Sequence, residues 1–249
     1  MISKYVWNES PKMHLALLMT NIDESAFAQD HPKDGEKFSD LIHTVRPDWK
    51  VTSFAVKDGV FPIDIGAFDG VMISGSPASV HDRDPWIRQL LDLIREVFTH
   101  QIPMFGACFG HQAIALALGG QVGPNPDGWV FGLTKVDVVG PADWMGGVPQ
   151  TLKQYGAHIE QVTALPKGAA VVTSNTRCPI AGFRIGDVVY TTQNHPEMTP
   201  EFISALVAEY APKLPPDVAR EAKASIADTA DTLGYAHSIA QFFENTAKL

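Results

Sequence analysis

Short apolar strand patterns alternate with amphipathic helix patterns along the first half of this chain. Parallel strands need long crossover connections, and these are usually helices. The alternation therefore favours an α/β fold, an open and mostly parallel sheet with helices on both faces. The predicted strands cover residues 13–20, 49–56, 68–73 and 103–107, and the predicted helices cover residues 85–98 and 111–118.

The second half carries further strand patterns and one helix with a clear start. Thr199 followed by Pro200 is typical of a helix N-terminus, since threonine caps it and proline is tolerated at the first position. This helix is predicted to run to residue 210. The predicted strands here cover residues 129–139, 169–174, 180–185 and 188–192.

The composition changes after the proline pair at residues 215–216. Residues 218–249 are rich in Ala, Asp and Glu, and we predict one or two surface helices there. A length of 249 residues suits one domain with a full core. We predict a single domain over residues 1–249, with a core over about residues 12–212 and a helical extension over about residues 214–249.

The overall charge excludes some kinds of partner. The chain is 45% hydrophobic and 19% charged, and its formal net charge is −9. Nucleic-acid-binding proteins need a basic surface, so no nucleic-acid partner is expected. No apolar run approaches the length of a membrane span, so no membrane association is expected either.

The cysteine content and the motifs that are missing indicate a cytoplasmic protein without a cofactor. Cys108 and Cys178 are few for a secreted domain, and residues 1–11 lack the apolar core of a signal peptide. We therefore predict a cytoplasmic location with two free thiols. No glycine-rich phosphate-binding motif occurs. The HDRD segment at residues 81–84 is interpreted as a solvated loop, so neither a cofactor nor a metal is predicted.

The most informative segment is GACFGHQ at residues 106–112, where a strand pattern runs through one cysteine into a helix pattern. This is the arrangement of a nucleophile elbow, and Gly106 and Gly110 would let the tight turn close. The helix N-terminus favours the thiolate of Cys108, and the backbone N–H of Phe109 would face a developing oxyanion. Most free cysteines are small buried apolar residues. Here the turn and its two glycines favour the reactive interpretation.

A thiol nucleophile needs a histidine, and the histidine needs an acceptor that fixes its tautomer. His195-Pro196-Glu197 follows an apolar strand pattern, and the proline stiffens the link between the two side chains. This spacing can place the Glu197 carboxylate against one ring nitrogen of His195 and leave the other for Cys108. Alone, the segment could be an incidental surface loop. With the Cys108 elbow it predicts a Cys-His-Glu triad.

These segments resemble the signatures of class I glutamine amidotransferases. The order Cys, His, Glu and the gap between the two segments fit that family, and SGSP at residues 74–77 resembles its Ser-Gly-Gly-Pro loop. The resemblance covers roughly residues 13–210 and is closest to stand-alone, GMP-synthase-like members. It implies a flavodoxin-like open sheet, in agreement with the alternation of strands and helices.

The resemblance implies a role for each matched residue. Cys108 is the nucleophile, His195 the general base and acid, and Glu197 the group that orients His195. The backbone N–H groups of Ser76 and Phe109 form the oxyanion hole. Ser76 stands where the family has glycine, so its hydroxymethyl group would narrow the pocket. Further implied elements are two substrate contacts, Gly75 and Gln112, and a loop on the acceptor side, residues 158–162.

The implied activity is hydrolysis of the glutamine side-chain amide through a γ-glutamyl thioester. The ammonia would pass to an acceptor or a partner synthetase, because this chain is too short to include a large synthetase domain. A γ-glutamyl peptidase using the same triad is an alternative that a wider pocket would favour. A second alternative is a non-catalytic regulatory member, against which the intact Cys108, His195 and Glu197 argue.

Overall fold

The computed structural model describes residues 12–246, which form eleven β-strands and seven α-helices. Residues 1–11, used above for the signal-peptide prediction, and residues 247–249 of the predicted extension lie outside the described residues. The strands are His14–Leu18 (β1), Lys50–Phe54 (β2), Gly70–Ile73 (β3), Met104–Ala107 (β4), Gln121–Pro124 (β5), Val130–Val138 (β6), Thr151–His158 (β7), Glu160–Ala164 (β8), Ala169–Ser174 (β9), Gly182–Ile185 (β10) and Val189–Thr192 (β11). The helices are Ala26–Gln29 (α1), Asp34–His43 (α2), Pro85–Thr99 (α3), Phe109–Ala117 (α4), Pro200–Tyr210 (α5), Pro216–Ser225 (α6) and Thr232–Thr246 (α7).

The main sheet has the order β2-β1-β3-β4-β11-β10-β9-β6-β7. Its first five strands are parallel, and the remaining strands continue the sheet in antiparallel pairs. Strands β5 and β8 form a separate antiparallel pair. The predicted α/β fold is therefore confirmed. The carboxyl ends of β3, β4 and β11 meet at one edge, which is where open α/β sheets bind ligands.

Helices cover both faces of the sheet, as the sequence predicts. Alternate residues of β1 divide between two core clusters: Leu15 and Leu17 belong to one, Ala16 and Leu18 to the other. The first cluster includes residues of α2 and α7, and the second includes residues of α3 and α4. The site therefore lies on a sheet that is buried from both sides.

Helices α3 and α5 both begin at a proline, and both start where the sequence predicts a helix. Helix α3 begins at Pro85, although within residues 12–246 the Asp84 side chain forms no capping hydrogen bond. Helix α5 begins at Pro200, and the Thr199 side chain accepts a hydrogen bond from the N–H of Phe202 at 3.2 Å. The cap fixes where α5 starts, directly after the His195 segment.

Helix α7 packs more deeply than a surface helix. Tyr235, Ile239, Phe242 and Phe243 are buried in the same core cluster as residues of α2. Their spacing places them on one side of the helix, which the alanine-rich composition obscured. The carboxylate of Glu244 is also buried, and it accepts two hydrogen bonds from Arg46 at 2.6 and 2.9 Å. The predicted C-terminal helices form, but the prediction that both lie on the surface was wrong for α7.

Strands β7 and β8 are absent from the sequence-based prediction. Residues 158–162, interpreted as a loop, include the end of β7 and the start of β8. Strand β7 pairs with β6 over eight positions, from Thr151 to His158. Its letters, TLKQYGAH, show little apolar alternation, because buried positions on this strand include glutamine and histidine. A long-range pairing thus forms a strand that local pattern does not indicate.

Within residues 12–246, no helix is both long and apolar enough to cross a membrane.

Candidate active site

Cys108 occupies a strained turn between β4 and α4. Its backbone has φ 50° and ψ −106°, a conformation that residues with a side chain rarely adopt. Hydrogen bonds on both sides hold it: the N–H of Cys108 donates to the carbonyl of Thr192 at 2.9 Å, and the N–H of Gly110 donates to the carbonyl of Ser74 at 3.1 Å. The predicted strand-to-helix elbow is therefore present and is braced by its neighbours.

The glycines beside Cys108 are required by close packing. A Cβ at Gly106 would lie 2.6 Å from the Ile114 side chain and 2.7 Å from the backbone of Gly110. A Cβ at Gly110 would overlap the carbonyl oxygen of Ile73 on the adjacent strand. Without these side chains, α4 can start directly against β3 and β4. The first N–H groups of α4, which lack partners within the helix, then lie beside the thiol.

His195 and Glu197 form a buried pair directly after β11. Nδ1 of His195 lies 2.8 Å from Oε1 of Glu197, and both side chains are less than a tenth exposed. The N–H of His195 donates to the carbonyl of Tyr155 at 2.8 Å, which fixes the backbone of the segment. Among the described residues, Nε2 of His195 has no hydrogen-bonding nitrogen or oxygen partner. That nitrogen is available to the nearby Cys108, which contributes to the raised pKa of His195.

The electrostatics favour a protonated His195 beside an ionised Glu197. Burial lowers the pKa of His195, but the charge of Glu197, the proximity of Cys108 and the hydrogen bonds to these two side chains together outweigh burial and raise it to about 10. Burial raises the pKa of Glu197, but the charge and hydrogen bond of His195 and the charge of Lys37 lower it overall. The arrangement can therefore stabilise an imidazolium facing a thiolate and can donate a proton to a leaving group.

The loop at residues 74–77 approaches the triad very closely. A Cβ at Gly75 would lie 2.8 Å from Cε1 of His195 and 3.4 Å from Cβ of Cys108, so this position requires glycine. Gly75 and Ser76 both line the cavity described below. The hydroxyl of Ser76 accepts a hydrogen bond from the N–H of Ala78 at 3.2 Å, within its own loop.

Thr20 holds this loop in place and was missed by the sequence analysis. Its N–H donates to the hydroxyl of Ser74 at 3.0 Å. Its own hydroxyl lies 3.0 Å from the carbonyl oxygens of both Ser74 and Gly75. The available signal was a polar residue just after β1, at the edge of the sheet where ligands bind.

Gln112 lies away from the cavity. It is buried, and its side-chain N–H group donates to the carbonyl of Glu160 at 2.9 Å and to Oε1 of Gln193 at 3.2 Å. Gln112 is not one of the described residues that line the cavity. The structure thus brings Cys108, His195, Glu197, Gly75 and Ser76 together, whereas Gln112 links α4 to β8.

A cavity of about 500 Å³ lies beside the triad. Besides the triad and the Gly75 loop, its walls come from α1, α2, α5 and β6 and from the segment before α1. The sequence gives little signal for the part of this wall that α1 forms, because α1 has four residues and none of them is buried. The volume falls in the range of small-molecule sites.

A buried ion pair on α2 also lines the cavity. Nζ of Lys37 lies 3.0 Å from Oδ1 of Asp34 and 4.2 Å from the centre of the Phe202 ring. Both charged side chains are less than a tenth exposed. Buried charges are costly unless they are paired, and this pair is a feature of the cavity wall that sequence analysis missed. Its position on the buried face of an amphipathic helix was the available signal.

Two buried histidines lie behind the triad. Nδ1 of His111 is 2.8 Å from the hydroxyl of Thr191, and Nδ1 of His158 is 3.0 Å from the carbonyl oxygen of Glu160. Burial, together with the nearby His158, lowers the pKa of His111 to about 3. Burial likewise lowers the pKa of His158 to about 4. Both rings are therefore neutral at pH 7.

We expect the free energy of unfolding to fall as the pH drops from about 6.5 towards 4. In that window the unfolded chain binds protons at both histidines, whose ordinary pKa is about 6.5, and the folded chain does not. Each group therefore lowers stability by about 1.4 kcal/mol per pH unit. Urea unfolding between pH 7 and pH 4.5 measures this slope. In His158→Gln the slope should be smaller by the contribution of about one proton, which is about 1.4 kcal/mol per pH unit. The exposed His237→Gln is the control and should leave the slope unchanged. An equal slope in His158→Gln would show that His158 is protonated in the folded state.

The HDRD segment at residues 81–84 makes ordinary loop contacts. A ring nitrogen of His81 lies 3.0 Å from the carbonyl oxygen of Val122, and the Asp82 carboxylate accepts a hydrogen bond from the N–H of Ser79 at 2.9 Å. Across the described part of the chain, no group of three or more His, Cys, Asp or Glu side chains is arranged to hold a metal ion.

Comparison with known proteins identifies one family model. The model described as "Glutamine amidotransferase class-I" matches residues 44–205. This range includes the elbow and the His195 segment, together with the loop at residues 74–77.

Curated relatives carry two kinds of name. "Gamma-glutamyl peptidase 3" of Arabidopsis thaliana is 32% identical over 162 residues, which cover 62% of this chain and 65% of the relative. "GMP synthase [glutamine-hydrolyzing]" of Pseudomonas aeruginosa (strain UCBPP-PA14) is 34% identical over 140 residues, which cover 52% of this chain and 25% of the relative. This chain thus spans just under two thirds of the peptidase and a quarter of the synthase.

A solved structure supports the fold. The crystal structure of a glutamine amidotransferase from Thermotoga maritima superposes with a TM-score of 0.77 at 18% identity, covering 96% of this chain and 100% of that chain.

Proposed function

Because this chain belongs to the class I glutamine amidotransferase family, we propose that Cys108, His195 and Glu197 form a catalytic triad that hydrolyses the side-chain amide of glutamine. The observation that carries the proposal is the buried His195–Glu197 pair, at 2.8 Å, beside a cysteine on a strained strand-to-helix turn. A packing role for Cys108 would not require such a backbone conformation. We also propose that residues 1–249 act as one domain.

The proposed reaction has two halves. The thiolate of Cys108 attacks the side-chain amide carbon, and the backbone N–H groups of Ser76 and Phe109 stabilise the oxyanion. The C–N bond then breaks while His195 gives its proton to the leaving nitrogen, so ammonia and a γ-glutamyl thioester result. In the second half, neutral His195 takes a proton from water, and the water oxygen attacks the thioester. Glutamate leaves, and the thiolate and the imidazolium are restored.

The fate of ammonia and the cellular setting are further parts of the proposal. The glutamine-hydrolysing GMP synthase matches this chain over only 25% of its own length. We propose that ammonia from this chain passes to a separate acceptor or partner synthetase. We also propose a cytoplasmic setting, because both cysteines are free and a catalytic thiol must stay reduced.

Hydrolysis of γ-glutamyl conjugates is a second candidate function, and the cavity favours it. Ammonia needs no space of its own, whereas a cavity of about 500 Å³ adjoins the triad. A cavity of this size supports the peptidase candidate, because the amine half of a γ-glutamyl conjugate needs space beside the triad. The two functions share the thioester and differ in the group attached to the scissile nitrogen.

Glutamate release by the purified chain tests both candidates. Glutamine and a panel of γ-glutamyl dipeptides are compared, with Cys108→Ala as the control. Release from glutamine that is lost in Cys108→Ala supports the amidotransferase-type activity. Release from dipeptides alone moves the assignment to γ-glutamyl hydrolysis. If neither substrate class gives Cys108-dependent release, with or without added ammonia acceptors, the proposed function is wrong.

Replacing Glu197 with glutamine should weaken turnover without abolishing it. The amide can still contact His195 but cannot supply the charge that raises its pKa, so the wrong tautomer and a weaker base result. We expect kcat to fall by roughly a hundredfold to ten-thousandfold. Steady-state glutamate release across pH 6 to 10 measures the effect and the change in pH profile.

The exposed Glu201→Gln provides a matched control for this variant, because it removes a carboxylate four residues away on α5. Its rate and pH profile should equal those of the unmodified chain. An unchanged rate in Glu197→Gln would remove Glu197 from the triad.

A further inference from the structure

We propose that the amine half of the substrate carries an aromatic group, which binds an aromatic wall of the cavity. This inference rests on the second candidate of the proposed function, hydrolysis of γ-glutamyl conjugates, since it assumes that an amide with a substituted nitrogen is cleaved at Cys108. It goes further by naming the chemical class of the leaving amine. The aromatic wall consists of Phe27, His31, Trp129, Phe131, Phe202 and Tyr210.

The position of His195 identifies the side on which the amine lies. His195 must give its proton to the departing nitrogen, so the groups attached to that nitrogen extend from His195 into the adjoining space. That space is the cavity, which both His195 and Glu197 line. Met198, which follows Glu197 directly, and Phe202, which lies on α5, also line the cavity. The aromatic wall lines the same cavity, so we place the leaving amine in the space that this wall encloses.

The wall residues contact one another in two groups. The rings of Phe131 and Tyr210 stack with centroids 5.4 Å apart, and Trp129 lies 6.2 Å from Phe131. The rings of Phe27 and His31 stack at 4.2 Å, and Phe27 lies 5.9 Å from Phe202. These spacings are those of favourable aromatic pairs. A further ring could join either group with the same geometry.

Part of the wall is exposed to solvent. Phe27, Trp129, Phe202 and Tyr210 are only partly buried, although each is large and mostly apolar. Leaving so much apolar surface in contact with water costs free energy unless a ligand covers it. Ammonia covers none of it and a small amine covers little. An aromatic amine has enough apolar area to cover the exposed part of the wall.

Two dipeptides that differ by one phenyl ring test the inference. We expect kcat/KM for γ-glutamyl-phenylalanine to exceed that for γ-glutamyl-alanine by roughly tenfold or more. γ-Glutamyl-leucine is the third probe, and we expect it to fall clearly below γ-glutamyl-phenylalanine. Equal values for leucine and phenylalanine would mean that the wall selects bulk, and equal values for all three would mean that it selects nothing. Either result overturns the inference while the proposed function stands.

Variants of Trp129 link any preference to the wall. In Trp129→Ala the ratio of kcat/KM between the phenylalanine and alanine dipeptides should fall towards one, and in Trp129→Phe most of it should remain. Phe98→Ala is the matched control, because it removes a partly buried ring on α3 that lies outside the wall. An unchanged ratio in Trp129→Ala would contradict the inference.

Binding to the Cys108→Ala chain separates the inference from the proposed function. This variant retains the cavity but cannot cleave, so calorimetry with the same three dipeptides reports recognition alone. Tighter binding of the phenylalanine dipeptide supports the wall even if the unmodified chain shows no turnover. Equal affinities overturn it.

Discussion

Replacing Cys108 with alanine is expected to abolish glutamate release from every γ-glutamyl substrate while the fold is retained. Without the sulfur no thioester can form, and loss of a nucleophile that works as a unit with its base costs on the order of a millionfold in kcat. The fold should survive because the turn is held by backbone hydrogen bonds, from Cys108 to Thr192 and from Gly110 to Ser74. Alanine fits the same space and keeps these bonds.

Glutamate release and thermal unfolding, measured on the same preparation, check both parts of this prediction. Cys178→Ala is the matched control. Cys178 is also a free, buried cysteine, but burial raises its pKa to about 12, so it does not supply a thiolate at neutral pH. We expect that variant to retain activity. If Cys108→Ala fails to fold, Cys108 is a packing residue; if it folds and keeps its activity, another group is the nucleophile.

The triad could be predicted from sequence because each part of it is local. Cys108 follows β4 and His195 follows β11, and these two strands are adjacent and parallel, with Ala107 opposite Thr192. Two segments that each end a strand are therefore brought to one edge by the sheet itself. Glu197 is two residues from His195, so its contact needs no long-range folding. Spacing and residue type were sufficient for these three side chains.

The surroundings of the triad could not be predicted in the same way. The cavity depends on α1 and α2 packing near α5 and β6, which are far apart in sequence. The inward position of Lys37 depends on its pairing with Asp34 and on the Phe202 ring. The family resemblance assigned Gln112 to substrate binding. In the structure its side chain forms hydrogen bonds to Glu160 and Gln193. The contact with Glu160 depends on the position of β8, a strand that the local sequence pattern did not indicate. Contacts of this kind are set by tertiary packing.

Among glycine-to-alanine substitutions near the site, Gly110→Ala is expected to lower the free energy of unfolding most. Gly110 lies in the first turn of α4, where alanine would ordinarily be better than glycine by up to about 1 kcal/mol. Here the added Cβ would overlap the carbonyl oxygen of Ile73 and also lie 2.9 Å from the Ile73 side chain. The backbone of a buried parallel strand cannot move away cheaply, so the clash outweighs the helix preference. We expect the free energy of unfolding to fall by about 3 kcal/mol or more.

Urea unfolding of Gly110→Ala beside Gly234→Ala measures this steric effect against its own control. Gly234 is also in the first turn of a helix, α7, but the nearest atom to its added Cβ is the carbonyl oxygen of Gly147 at 3.7 Å, an ordinary contact. Gly234→Ala should therefore be neutral or more stable by up to about 1 kcal/mol. The same clash pushes α4 away from β3, and the N–H of Phe109 and the thiol of Cys108 move with the helix. Gly110→Ala should therefore also lose glutamate release. A Gly110→Ala chain as stable and as active as the unmodified one would show that α4 does not pack against Ile73 closely enough to define the elbow.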